Sequence, residues 1–166
     1  MFKVNDKIIY QGKGVCTVSS IEERNLNGET KLYYILKPIS QQSTTVYLPA
    51  DNGKLLSKIK KILTHDEADE IIMNIPLYET EWCDDVEERK KYYKSIIEEA
   101  NRSKIIAAIR CIYKKQLSYE SKGGKKPRIF DLAFMTENEK AILEELATAL
   151  DISPDEAKEY IERKIG

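Results

Sequence analysis

The chain has 166 residues, with 27 Lys and Arg against 28 Asp and Glu for a formal charge of −1, and 42% of its residues are hydrophobic and 33% charged. This balance excludes a disordered polyelectrolyte and a membrane-embedded chain, and no apolar run approaches the roughly 20 residues of a spanning helix. The length suits one domain of average size or two small ones.

Residues 1–60 read as strands. IIY at 8–10, VCTVSSIEE at 15–23, KLYYILK at 31–37 and TTVYLP at 44–49 are β-branched or aromatic runs of strand length. Gly12 and Gly14, then Asn27-Gly28, then the polar SQQS separate them, and the Asn-Gly pair is the strongest hairpin signal in the chain. A small, bent antiparallel β-barrel of the SH3 or Tudor type is expected. From Thr64 the period becomes helical. Thr64 and Glu67 fit a capping box opening DEADEIIMN, which must stop near Pro76. DDVEERKKYYKSIIEEA and SKIIAAIRCIYKKQLSY are the longest helical stretches. In the second, Ile105, Ile109, Ile112, Tyr113 and Gln116 share a face, while Lys104, Lys114 and Lys115 lie outside it. ESKGGKKPR, residues 120–128, reads as a mobile loop. Thr136 with Glu139 then fits a second capping box, and Ser153-Pro154 with Glu156 a third. The expected class is α+β, with a β domain over 1–60 and a compact bundle of about five helices over 61–166.

The near-zero net charge conceals segregation. Residues 1–60 carry 9 basic against 5 acidic side chains, residues 61–88 carry 1 against 10, residues 89–128 carry 13 against 3, and residues 129–166 carry 4 against 10. A block at +10 can neutralise several phosphates if its charges converge. It can equally pair with the acidic helices around it.

Catalytic signatures are missing. GKLLSK and SKGGKKPR lack P-loop spacing, and neighbouring acids such as Asp84-Asp85 and Glu144-Glu145 point to different helix faces. His65 is the single histidine, and Cys16, Cys83 and Cys111 form no CxxC pair. Neither a disulfide framework, a zinc site nor a bound cofactor is expected. The opening MFKVNDKIIY alternates charge with apolar residues instead of forming a signal peptide, so a cytoplasmic, non-enzymatic protein is expected.

Trp82, the one tryptophan, stands in YETEWCDDVEERKKYYK, just before the acidic segment gives way to the basic one. Three readings are open: a core residue at a helix entry, an anchor for a protein partner, or a wedge against nucleic acid. Glu79, Glu81, Asp84 and Asp85 cannot all follow it inside unpaired, so one edge of the indole should lie near solvent.

FKVNDKIIYQGKGVCTVSSIEERNLNGETKLYYILK resembles the RNA polymerase-interacting domain of the CarD family of bacterial transcription regulators, found also in the transcription-repair coupling factor. That domain has an F-x-V-G-D-x-V-V-Y strand, a glycine-containing turn, a Gly-V strand and an I-E-x-R hairpin arm. TTVYLPADN resembles its V-x-V-P-x-x-N segment, and the tryptophan before a basic helix and EKAILEELATAL resemble the later part of the family. The resemblance implies that the amino-terminal domain binds the RNA polymerase β subunit. It also implies that the helical domain meets promoter DNA at the upstream edge of the melted region, where the tryptophan enters the minor groove and stabilises the open complex.

By position, Arg24, Leu26 and Asn27 match the polymerase-contacting hairpin, and Tyr47 stands where some members carry a basic contact. Trp82 matches the wedge, and Arg89, Lys90 and Lys94 match the basic residues that follow it. Cys83 to Glu88 intervene before Arg89, so the cations of Lys114, Lys122, Lys125, Lys126 and Arg128 are candidates for the phosphate contacts. The DNA contact is expected to be largely independent of sequence and the protein monomeric. The alternative from another class is a protein–protein adaptor without DNA contact.

Overall fold

The computed structural model describes all 166 residues, Met1–Gly166. Its contacts group into two compact units: Met1–Thr64 with Glu144–Ser153, and His65–Leu143 with Pro154–Gly166.

The first unit is built on a five-stranded antiparallel sheet. Its strands are β1 (Lys7–Tyr10), β2 (Gly14–Leu26), β3 (Glu29–Pro38), β4 (Val46–Pro49) and β5 (Ile59–Lys61), in the order β4-β3-β2-β1-β5. The hairpin signal is realised as written. Leu26 pairs with Glu29, and Asn27 and Gly28 make the two-residue turn with φ of +55° and +85°, the doubly left-handed geometry that matches strand twist. Asn25 Oδ1 accepts from Gly28 N at 3.1 Å and closes it. A bulge between Val18 and Ser20 shifts the β2–β3 register, which bends the long arm. Asn5 sits at φ +75° and donates its N–H to Val18 O at 2.8 Å. Asparagine is among the few residues that accept this conformation.

Two elements escaped the sequence reading: the short helix α1 (Gly53–Leu56) and β5, which pairs with β1. Ile8, Cys16, Val18, Tyr34, Leu36 and Leu48 form the core of this unit, with Phe2 edge-on to Tyr34 at 5.4 Å. Glu144, only 7% exposed, accepts from Val15 N at 3.0 Å. Gly14 makes room for that carboxyl group: a Cβ there would lie 2.9 Å from Glu144 Oε1.

The helical region comprises α2 (His65–Asn74), α3 (Val86–Glu98), α4 (Arg102–Lys122), α5 (Ile129–Leu150) and α6 (Pro154–Ile165), with a 3₁₀ turn at Ile75–Leu77 where Pro76 ends the first helix. Asp85 caps α3 by accepting from Glu88 N, and Asn101 caps α4 by accepting from Lys104 N. Proline at the first position of α6 is as expected. The capping box expected at Thr136 is not a helix start, because Thr136 lies inside α5. The preceding run IFDLAFM is already helical, and the true entry is marked by Asp131, whose Oδ2 accepts from Arg128 N at 2.8 Å. The expected long loop is correspondingly short, since α4 continues to Lys122 and Gly123 terminates it at φ +73°.

The core of the second unit joins Tyr93 and Ile96 of α3, Ile105, Ala108, Ile109 and Ile112 of α4, and Phe134 of α5. Tyr93 stacks on Phe134 with ring centroids 4.2 Å apart. On α4 the buried stripe takes in Ala107 and Ala108, whereas Tyr113, expected inside, is 43% exposed and donates to Glu139. α2 packs with α6, where Tyr160 donates to Asp69 Oδ1 at 2.6 Å.

Candidate functional site

Trp82 sits in the extended segment between the 3₁₀ turn and α3, half-buried against the core of the second unit. Its indole N–H donates to Asp84 Oδ1 at 3.2 Å. The Arg89 guanidinium carbon lies 4.3 Å from the indole centroid and Lys115 Nζ 5.2 Å from it. Two cations on one indole exploit the negative face of its quadrupole. The acids beside it serve as caps or stay in solvent: Asp84 holds the ring nitrogen, Asp85 caps α3, and Glu79 pairs with Lys114 at 3.0 Å.

Arg89 is the pivot of this arrangement. It is 5% exposed, and it donates Nε and Nη2 to the two oxygens of Asp131 at 3.0 and 2.9 Å. Its Nη1 donates to Cys83 O at 2.8 Å and Asp84 O at 3.3 Å. Asp131 is wholly buried and also accepts from Tyr93 Oη at 2.7 Å and Arg128 N at 2.8 Å. One carboxylate thus collects four donors from two separate stretches of chain, α3 and the entry to α5. Burial, followed by the hydrogen bond to this carboxylate, pushes the Tyr93 phenol far above its ordinary pKa.

The expectation that Arg89 meets phosphate is therefore revised. Its donors are already bound to Asp131 and two carbonyls out of solvent, so it holds the tryptophan segment in place. Sequence reasoning missed Asp131 and Tyr93, although a lone acid inside the apolar run IFDLAFM was a usable signal. It also passed over Lys115, whose ammonium lies 5.2 Å from the indole centroid, while Lys114 forms an exposed pair with Glu79 at 3.0 Å.

The remaining basic residues fall into two groups. Lys90 pairs with Glu87 at 3.0 Å and Lys94 with Glu98 at 3.9 Å; such exposed pairs are weak and readily exchanged for another anion. Lys90 also lies 5.4 Å from the Phe130 ring, which the Arg89 guanidinium approaches from 5.3 Å. Lys122, Lys125, Lys126 and Arg128 are exposed in and beside the α4–α5 loop, and their side chains make no ion pair. The Arg128 backbone is tied to the same Asp131 that holds Arg89, so the end of this cationic loop shares an anchor with Trp82.

The sheet presents a second candidate surface. Arg24 of β2 is bonded through Nε and Nη2 to Glu22 Oε2 at 3.2 and 2.9 Å and lies 4.5 Å over the ring of Tyr47 in β4. The register through β3, with Glu22 opposite Tyr33 and Ile35 opposite Tyr47, puts both on one sheet face. Tyr47 is 49% and Leu26 56% exposed. The structure thus brings Arg24 and Tyr47 into contact, with Leu26 and Asn27 at the tip of the same hairpin.

The class defined by this architecture is a small antiparallel sheet domain that displays a cation–aromatic pair, joined to a helical region. Residues 2–60 match the model of the CarD-like/TRCF RID domain. The chain therefore carries a CarD-like/TRCF RID domain, followed by a helical region. No helix is long and apolar enough to cross a membrane.

Proposed function

We propose that this protein is a non-enzymatic bacterial transcription regulator, monomeric and associated with the nucleoid in the cytoplasm, that links RNA polymerase to promoter DNA. The observation that carries the reading is the polymerase-interacting domain over residues 2–60. Residues 1–60 bind the β subunit through Arg24, Tyr47, Leu26 and Asn27. Residues 61–166 meet the upstream edge of the transcription bubble, with Trp82 entering the minor groove.

Lys115, Lys90 and Lys94, with the loop cations Lys122, Lys125, Lys126 and Arg128, approach the phosphates. A half-buried tryptophan with the Lys115 ammonium 5.2 Å from its ring supports this role, since an apolar wedge acts best where a neighbouring cation neutralises the backbone it approaches. Phosphate contacts and a wedge read charge and deformability more than base identity. The DNA contact is individually weak and gains from the high effective concentration that polymerase binding confers. The open complex is stabilised because the wedge hinders reannealing.

Two measurements test the two halves. Arg24→Glu abolishes co-purification with the β subunit; unchanged co-purification removes the polymerase assignment. Trp82→Ala shortens open-complex lifetime with polymerase binding intact. No binding to fork-junction DNA at low salt, with or without polymerase, would favour the adaptor reading in place of the DNA contact.

A further inference from the structure

Ile129 opens α5 with 87% of its surface exposed, more than any other large apolar residue except the terminal Met1. Its nearest apolar neighbour on that side of the helix, Leu132, is 36% exposed, so Ile129 projects as a single tip. It directly follows the run KGGKKPR, in which Lys122, Lys125, Lys126 and Arg128 are exposed. An isolated apolar residue on a surface is ordinary, but this one is firmly mounted. Pro127 is buried, and the Arg128 N–H is bound to the buried Asp131 at 2.8 Å.

The mounting is shared with Trp82. The Arg89 guanidinium carbon lies 5.3 Å from the ring of Phe130, the residue after Ile129, and 4.3 Å from the indole. Lys90 Nζ lies 5.4 Å from the same Phe130 ring, so cations of α3 as well as of the loop border the tip. An apolar point among cations complements a surface with negative walls and a narrow recess between them. The minor groove of DNA has this form, with phosphates along its walls and base steps at its floor that isoleucine and similar side chains can enter. An acidic protein face would also satisfy the cations, but a protein interface needs a broader apolar centre than one side chain.

We infer that Ile129 is a second apolar wedge, entering the minor groove at a base step separate from the one taken by Trp82. This assignment rests on the DNA contact proposed for Trp82. Two wedges on one support hold the groove open over several base pairs, where one wedge acts at a single step.

Fork-junction DNA carrying 2-aminopurine at one duplex position at a time reports each unstacked step, because the probe brightens when it loses its neighbours. With the full-length wild type, two separate positions should brighten on binding. Ile129→Ala should remove one of them and weaken binding about tenfold, the loss expected when one large apolar side chain is no longer buried. The salt slope should stay unchanged, since no cation is removed. Trp82→Ala should remove the other position and retain the Ile129 one, and Ile129→Met, which keeps an apolar tip of similar size, should retain both. Alanine favours a helix, so the far-ultraviolet spectrum of Ile129→Ala should match that of the wild type; should it not, Ile129→Gln decides instead, with the same loss expected. An unchanged probe pattern in the folded variant overturns the inference, whether or not affinity falls, and a loss of polymerase co-purification in its place assigns the tip to a protein contact. Failure of the DNA contact itself looks different, since the wild type then shows neither salt-dependent fork binding nor any brightened position, and both assignments fall. A single brightened position that depends on Trp82 alone leaves the first wedge standing and removes the second.

Discussion

Asp131→Ala is the most informative single perturbation of the helical unit. The side chain is 0% exposed and accepts from Arg89 twice, from Tyr93 and from the Arg128 backbone at 2.7–3.0 Å. Its removal strands a buried guanidinium that keeps only the carbonyls of Cys83 and Asp84. Breaking one side of a buried ion pair costs about 3–5 kcal/mol, a large share of the roughly 5–15 kcal/mol that holds a typical domain together. Urea unfolding followed by circular dichroism measures the loss. Because the same guanidinium stacks under Trp82 at 4.3 Å, Trp82 emission should shift to the red before unfolding begins. The double replacement Arg89→Met with Asp131→Leu should recover much of the stability without restoring the emission, since removing both charges removes the stranded one. A loss below about 1 kcal/mol in Asp131→Ala, with native emission unmoved, would refute the argument that this carboxylate positions the tryptophan.

Other predictions bear on separate parts of the molecule. Gly14→Ala should lower stability by about 2–4 kcal/mol by thermal melting, combining left-handed backbone strain with displacement of the buried Glu144 carboxyl group from Val15 N. The Tyr93 phenol titrates above the ordinary value of 10 in the folded state, so the folded protein holds this proton more tightly than the unfolded chain. Its contribution to stability is full below about pH 10 and is lost as the pH rises further; Tyr93→Phe should flatten the alkaline side of a stability–pH profile. Burial first, and then the neighbouring Glu144 charge, push the Cys16 thiol up to about 11, and a thiol reagent at pH 8 should leave it unmodified in the native protein until the first unit unfolds. For DNA binding, Lys125→Gln with Lys126→Gln should reduce the salt slope on fork DNA by about 2.

Local chemistry made much of this molecule legible. Asn27-Gly28 announces its hairpin because few residue pairs accept two successive left-handed conformations. Pro76 and Pro154 mark a helix stop and a helix start because proline lacks the N–H. The Thr136 capping pattern misled because a side chain able to cap is also tolerated inside a helix, and only the Asp131 contact to Arg128 N identifies the real entry. β5 was illegible because its three residues, Ile59–Lys61, gain strand character from pairing with β1 and have too little pattern of their own.

The sequence by itself determined the α+β order, the hairpin arm, the segregation of charge and the polymerase-interacting motif, since each is carried by near neighbours in the chain. Tertiary structure decided which charges are available. It drew Arg89 inside onto Asp131, 42 positions away, and left Lys115 against the indole and the α4–α5 loop cations in solvent. An unpaired charge cannot be buried cheaply, so the partner that satisfies it determines its role. That partner is chosen by packing, which sequence spacing does not record.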